Sequence, residues 1–373
     1  MSASKLCVAP AGWNAAFAVA RYQEPTRLDR CLQLRTTQGV GTVRVDAPGT
    51  LSSSARGRWR SVSPIAPTEP SVGLIYNERS HHNRERGQQL GPFRNSIDAR
   101  MPADRGELDE ILADFAASGI KLLVVDGGDG TVRDVLTAAS RVFGSAMPDI
   151  AVLPSGKTNA LAIDLGVPAG WTVEDAIAAA ALGNSALRSP IEVETFGHSE
   201  APLRGFLLGA GAFVRATSLA QHTHRWGLFA GLAVGVSLML VLCQTFFGST
   251  GNSWRRGESM TLRLDNGSVI AGKRYLFLAS TLETLPLGLK PFGTVRPGLK
   301  LLSVDAPPRR MLLAVPAIVA GWSAPWLERL GYHRRDIDHM AVELPGGFIL
   351  DGEKFAGGSM VLRRGAPIRF VVP

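Results

Sequence analysis

Leu122-Leu123-Val124-Val125-Asp126-Gly127-Gly128-Asp129-Gly130-Thr131-Val132-Arg133-Asp134-Val135-Leu136 decides how this chain is built. The apolar run at its start reads as a buried strand, the glycines as a tight loop, and the segment after Thr131 as a helix. A strand that runs through glycines into a helix makes a phosphate site. Glycine lets the backbone approach a ligand closely and take positive φ, and the helix start offers unpaired N–H groups at the positive end of a dipole. Gly-Asp-Gly alone is also a common turn. The strand before it and the helix after it favour the phosphate reading. An Asp is out of place in a loop that only holds an anion. It makes sense if Asp129 holds Mg²⁺ against the phosphates or orders water around them.

Outward from this loop the chain alternates. Residues 72–76 predict a strand, 107–118 a helix with its apolar stripe at Leu108, Ile111, Leu112 and Phe115, and 150–153 a further strand ended by Pro154. A short helix is expected over 158–165. Thr172 and Asp175 look like a capping box for a helix closed by Gly183. Strand and helix in strict turn imply a doubly wound parallel sheet, whose ligands sit beyond the carboxyl ends of the strands. Asn77, Gly127 and Ser155 all fall just past strand ends, so one crevice can collect them.

After residue 190 the pattern becomes strand-rich, with clear alternation in Met260-Thr261-Leu262-Arg263-Leu264 and a hairpin signal at Asn266-Gly267. Residues 226–254 carry no charged side chain, and the apolar centre at about 227–247 is long enough to span a membrane, but without a charge asymmetry to orient a span it favours a helix that is buried or rests on the membrane. Residues 1–70 hold nine Lys or Arg against four Asp or Glu, with Ser- and Pro-rich stretches, and read as a basic, poorly ordered extension. The expected organisation is thus 1–70, an α/β domain over 71–190 and a β-rich domain over 191–373 whose last strand returns to the first domain.

The chain has 373 residues, 45% hydrophobic and 19% charged, with a net charge of +8. That balance suits an anionic partner. No basic run is interleaved with aromatics, which argues against nucleic acid and for a nucleotide and an anionic membrane surface. Cys7, Cys31 and Cys243 make neither a disulfide framework nor a zinc site, as fits a reducing cytoplasm. The N-terminus does not read as a signal peptide. A homodimer is compatible with the sequence.

Two further motifs carry chemistry. Pro154-Ser155-Gly156-Lys157-Thr158-Asn159 again runs from a strand into a helix, and Lys157 can meet phosphate oxygens. Asp351-Gly352-Glu353 places two carboxylates around a glycine. With Asn77-Glu78-Arg79-Ser80 and Gly127–Thr131, these motifs resemble those of the diacylglycerol kinase catalytic-domain family, which includes bacterial soluble lipid kinases and is related to sphingosine kinases. The resemblance implies a Rossmann-like ATP-binding domain, similar to those of phosphofructokinase and NAD kinase, followed by a β-sandwich lipid domain. It implies ATP and Mg²⁺ as cofactors, with Asp129 on the metal and helping catalysis. Asn77, Gly127, Gly128, Gly130, Thr131, Gly156, Lys157, Thr158 and Asn159 would lie around the nucleotide, and Glu353 would be general base for the hydroxyl of a membrane lipid such as diacylglycerol. Such an enzyme would work at the inner face of the membrane. The chain departs from the family pattern at Glu78, His81 and Lys157. It also lacks the acidic residue before Gly298 that helps hold a structural Mg²⁺. A kinase acting on NAD and an inactive lipid-binding regulator remain as alternatives. Intact Asp129 and Glu353 argue for turnover.

Overall fold

The computed structural model describes residues 31–36, 39–46, 50–51, 72–77, 97–196, 201–223 and 255–373, with side chains in 72–77, 97–196, 201–217 and 255–373. The degenerate motif at 78–87 and the apolar segment at 227–247 lie outside them. Two compact units emerge, residues 1–66 and 67–373.

The first unit holds an antiparallel sheet of three strands, β1 (Cys31–Thr36), β2 (Gly39–Asp46) and β3 (Thr50–Leu51). This corrects the reading of 31–51 as poorly ordered. The net basic charge masked a period-two pattern rich in β-formers, Val40, Thr42 and Val43 among them, which pairs in register from Cys31↔Arg44 to Thr36↔Gly39.

The second unit contains a six-stranded sheet in the order β5-β4-β6-β7-β20-β8. Its members are β4 (Val72–Tyr76), β5 (Ile97–Arg100), β6 (Leu122–Gly127), β7 (Asp149–Pro154), β8 (Ser185–Arg188) and β20 (Ile368–Val371). Strands β5, β4, β6, β7 and β20 run parallel, and β8 lies antiparallel to β20. The sequence reading missed β5 and β8. Both are short, half-exposed end strands with little apolar pattern to betray them.

Among the described residues four helices connect these strands: α1 (Arg105–Ala117), α2 (Asp129–Phe143), α3 (Ala160–Asp164) and α4 (Val173–Leu182). α1 is capped by Asp104 and buries the expected stripe, and α4 opens on the Thr172–Asp175 capping box. α2 starts two residues before the expected position, at Asp129 itself, and α3 starts two residues late, because Asn159 stands at φ 50° and Lys157 and Thr158 stay in the loop.

The second sheet has eleven antiparallel strands, β9 (Ile191–Thr195), β10 (Leu203–Gly205), β11 (Leu207–Gly211), β12 (Glu258–Leu264), β13 (Val269–Ser280), β14 (Leu299–Asp305), β15 (Tyr332–Ile337), β16 (His339–Leu344), β17 (Phe348–Leu350), β18 (Glu353–Phe355) and β19 (Gly358–Arg364), with helix α5 (Ala212–Thr223) directly after β11. Residues such as Leu208, Leu262, Phe277, Met340 and Leu362 form a core drawn from its own strands, so the sheet curls over itself as a sandwich does. The Asn266-Gly267 hairpin forms, with Gly267 at φ 78°. After β19 the chain crosses back to supply β20, inserted between β7 and β8. That return ties the second sheet to the edge of the first. Among the described residues no helix is long and apolar enough to cross a membrane.

Where an acidic residue is missing before Gly298, the chain supplies a cation of its own. Lys300 is buried, and its Nζ donates to the carbonyls of Arg296 and Gly298 at 2.9 and 3.1 Å and more weakly to that of Thr281. Burial lowers its pKa to about 8, with Arg296 adding to the effect.

Candidate functional site

The two glycine loops touch backbone to backbone at the carboxyl ends of β6 and β7. A Cβ on Gly156 would lie 2.4 Å from the Cα of Gly128, so no larger residue fits at 156 without parting the loops. A Cβ on Gly127 would strike the Thr131 side chain at 2.6 Å. Thr131 Oγ1 in turn accepts a hydrogen bond from Asn77 Nδ2 at 3.2 Å, and Asn77 N donates to the Asp126 carbonyl. Asn77, Gly127, Gly128, Thr131 and Gly156 are thereby brought together.

The rest of the second loop divides. Lys157 and Thr158 stand exposed at its tip. Asn159 folds back, its Oδ1 accepting from Gly156 N at 2.8 Å and its Nδ2 donating to the Gly156 carbonyl at 2.9 Å, so its amide closes the loop on itself. Asp126, which sequence reasoning passed over, accepts a short hydrogen bond from Ser155 Oγ and fastens this loop to β6.

Asp129 lies at the start of α2 and turns toward the start of α3, where its Oδ1 accepts from Leu161 N at 3.3 Å. Burial raises its carboxyl above the usual range, and backbone N–H groups of Leu161 and Ala160 oppose the rise.

Asp351 and Gly352 form the two-residue turn between β17 and β18, with φ of 45° and 85° and Leu350 paired to Glu353. Positive φ at both positions is what a tight hairpin of this twist requires, and Asp-Gly is a favoured pair for it. The turn therefore does more than reverse the chain. It brings Asp351 to the Gly-Asp-Gly loop, where the Asp351 carbonyl lies 3.9 Å from the place a Cβ on Gly130 would take. The Asp351 carboxylate accepts from Phe206 N at 2.9 Å and from Leu207 N at 2.9 Å. A Cβ on Gly205 would lie 2.5 Å from its Oδ2, so glycine is needed beside this cradle. Burial pushes Asp351 up to about 7, and the charge of Asp129 is the next cause.

Glu353 is half-exposed and its carboxylate is held by arginines. Arg133 Nη2 makes a short contact with Oε2, and Arg105 Nη2 reaches both oxygens at 3.1 Å. Arg133 is the organising residue that the sequence did not reveal. It is 1% exposed, donates to the Leu350 carbonyl at 3.0 Å and to Asp134, and lies over the Phe355 ring at 5.3 Å. One guanidinium thus pins α2 to the Asp-Gly-Glu turn. Arg133→Met is expected to lower stability by roughly 3 kcal/mol, through an unsatisfied carbonyl and lost volume. Arg133→Lys should recover less than half of that, since an ammonium cannot fork. Denaturant unfolding measures both, and a loss below about 0.5 kcal/mol for Arg133→Met would show that the turn is held by other contacts.

Among the described residues no group of three or more His, Cys, Asp or Glu is placed to hold a metal. The site offers instead two partly buried carboxyls whose charges oppose each other, Asp129 and Asp351. A carboxyl such as that of Asp129 suits Mg²⁺, a hard cation that takes one or two carboxylates and completes its shell with water and phosphate oxygens.

This arrangement of a doubly wound sheet, paired glycine loops and an antiparallel sheet that returns carboxyls to them defines a two-part α/β class. Residues 71–189 match the family model described as diacylglycerol kinase catalytic domain. A relative from Escherichia fergusonii named "Probable lipid kinase YegS" is 27% identical over 119 residues, 31% of this chain and 39% of that protein. Another from Pseudomonas putida, "Probable lipid kinase YegS-like", is 27% identical over 208 residues, 54% of this chain and 67% of the relative. The alignments to the first of these relatives span about two fifths of their length. A solved diacylglycerol kinase structure from Bacillus anthracis str. Sterne superposes with a TM-score of 0.55 over 82% of this chain and 97% of that one, at 14% identity, a likeness of fold. Residues 71–189 are thus similar to the diacylglycerol kinase catalytic domain, and the fold of the solved structure extends over 82% of the chain.

Proposed function

We propose that this protein is an ATP-dependent lipid kinase. It transfers the γ-phosphoryl group to the hydroxyl of a membrane lipid, with diacylglycerol as acceptor and phosphatidic acid as product. The observation that carries this reading is the meeting of the Asp351 turn with the Gly-Asp-Gly loop. Two partly buried carboxyls then neighbour glycine loops of the kind that suits phosphate. Phosphoryl transfer needs positioning and charge neutralisation more than covalent help, and this site supplies both. Gly127, Gly128, Gly130 and Gly156 let the phosphates approach the backbone, and Lys157 at the loop tip adds a positive charge. Asp129 would hold Mg²⁺, which when bound offsets phosphate charge.

An alcohol is a weak nucleophile and needs a nearby acceptor for its proton. The resemblance assigns that part to Glu353. In our reading the geometry favours Asp351. Both oxygens of Glu353 are held by charged guanidinium donors, which weaken it as a base, whereas the Asp351 oxygens accept from the neutral backbone N–H groups of Phe206 and Leu207. Burial pushes Asp351 up to about 7, where a base works best at neutral pH. Glu353 then sets the position of Arg133. The acceptor stays in the bilayer, so the enzyme acts at the inner membrane face.

The test is a screen with labelled ATP and mixed micelles of diacylglycerol, a sphingoid base, a polyprenol or phosphatidylglycerol, with NAD as control and products identified by mass. Phosphatidic acid is the expected product. Phosphorylation of NAD alone, or of nothing, would overturn the proposal.

A further inference from the structure

We propose that the outward face of helix α6 (Met311–Val319) is a docking surface for an anionic lipid bilayer. The occupant follows from the lipid-kinase reading, since such an enzyme must meet its acceptor in a membrane.

α6 contains no polar side chain. Its inner face, Met311, Ala314, Ala317 and Ile318, is buried in the main core. Leu312 and Leu313 stand 69% and 65% exposed, and Pro316 and Ala320, exposed further along, fall on the same side of the helix. A surface helix ordinarily turns polar residues outward. One that is apolar on both sides leaves an exposed apolar patch, the mark of an interaction site.

The flanks point to lipid. Arg309 and Arg310 are exposed just before α6. Cations at a helix N-terminus oppose its dipole, so the helix itself does not account for them. Lys290 sits at the other end, where its N–H donates to the Val319 carbonyl at 2.8 Å. Neighbouring acids are already paired: Asp305 with Arg274, Asp336 with Arg296 and Glu328 with Arg335. Among the described residues no carboxylate forms an ion pair with Arg309, Arg310 or Lys290. Cations at both ends of an apolar face match an interfacial helix, whose basic side chains reach lipid phosphates while its leucines enter the acyl boundary. Trp322, 63% exposed, follows α6 and is held by its own N–H on the Ala317 carbonyl, and an indole suits the headgroup level.

The test uses the full chain with phosphatidylcholine vesicles, with and without phosphatidylglycerol. Wild type should sediment with the anionic vesicles. The double variant Leu312→Ser/Leu313→Ser and the double variant Arg309→Glu/Arg310→Glu should each weaken that partition by about 10-fold or more. The leucines are exposed, so their replacement should leave the thermal melt unchanged. Brominated lipid should quench wild-type tryptophan fluorescence more than that of Trp322→Phe. Unchanged partition in both double variants would overturn the proposal. So would a wild-type dimer that is lost in Leu312→Ser/Leu313→Ser with no vesicle binding, because a second copy would then cover the face. Phosphorylation of detergent-dispersed diacylglycerol separates this proposal from the functional reading. If wild type phosphorylates no lipid yet the variants weaken vesicle binding, docking stands and the kinase reading falls.

Discussion

Asp129→Asn is expected to cut lipid phosphorylation by more than about 10³-fold while the protein stays folded, the scale of losing a charge that organises a metal and the transferring phosphate. The substitution is nearly isosteric. The amide oxygen can still accept from Leu161 N, so the contact between α2 and α3 survives. What disappears is a buried negative charge beside Asp351. Burial holds the Asp129 carboxyl above its usual range, so its ionised form costs stability at neutral pH. Removing that charge should leave the protein as stable as wild type or more so. Activity lost with stability kept or gained marks a functional carboxylate, since a structural one would lose both. Turnover with ATP and mixed-micelle diacylglycerol, beside a denaturant melt, reads the two effects. Wild-type turnover in Asp129→Asn would refute the assignment.

The second large effect is expected from Asp351→Asn, with turnover reduced by about 10²–10⁴-fold, the range for a general base. Glu353→Gln should cost less and should act through Arg133, so part of its effect should appear as lost stability. If Glu353→Gln proves the more damaging of the two and leaves the melt untouched, the base is Glu353, as the family resemblance has it. Asp351 also predicts a pH signature. Its folded pKa of about 7 lies above that of an unfolded aspartate. Between those values the folded state binds the extra proton. Its contribution to stability is therefore full below the unfolded value and is lost as pH rises through about 7. Metal-free protein should become less stable across that window, and Asp351→Asn should flatten the slope. Turnover, which needs bound Mg²⁺, should rise at lower pH than this window, because the cation favours the ionised base.

Local features of the fold were legible in the sequence. Gly127–Thr131 carries the chain from a strand into a helix, the Thr172–Asp175 box caps α4, and Asn266-Gly267 turns a hairpin. Each rests on residues within a few positions of one another, where backbone preference acts directly. Long-range pairing was not legible. Arg133 falls among the apolar positions of α2 as an arginine that would ordinarily face water. Only the arrival of Leu350, Glu353 and Phe355 from β17 and β18 makes its burial sensible. The cradle of Phe206 and Leu207 around Asp351 is equally distant in the chain and uses backbone N–H groups, which no side-chain pattern reports. Within Asp351-Gly352-Glu353 both carboxylates look alike until the turn seats one in the Phe206–Leu207 cradle and gives the other to two arginines.

The most direct measurement is an NMR titration of the Asp351 carboxyl in metal-free protein, in wild type and in Asp129→Asn. Convergence of the two loops predicts a midpoint near 7 in wild type and a fall when the Asp129 charge is removed. A midpoint in the ordinary aspartate range, indifferent to Asp129, would mean that the two carboxyls do not share a site.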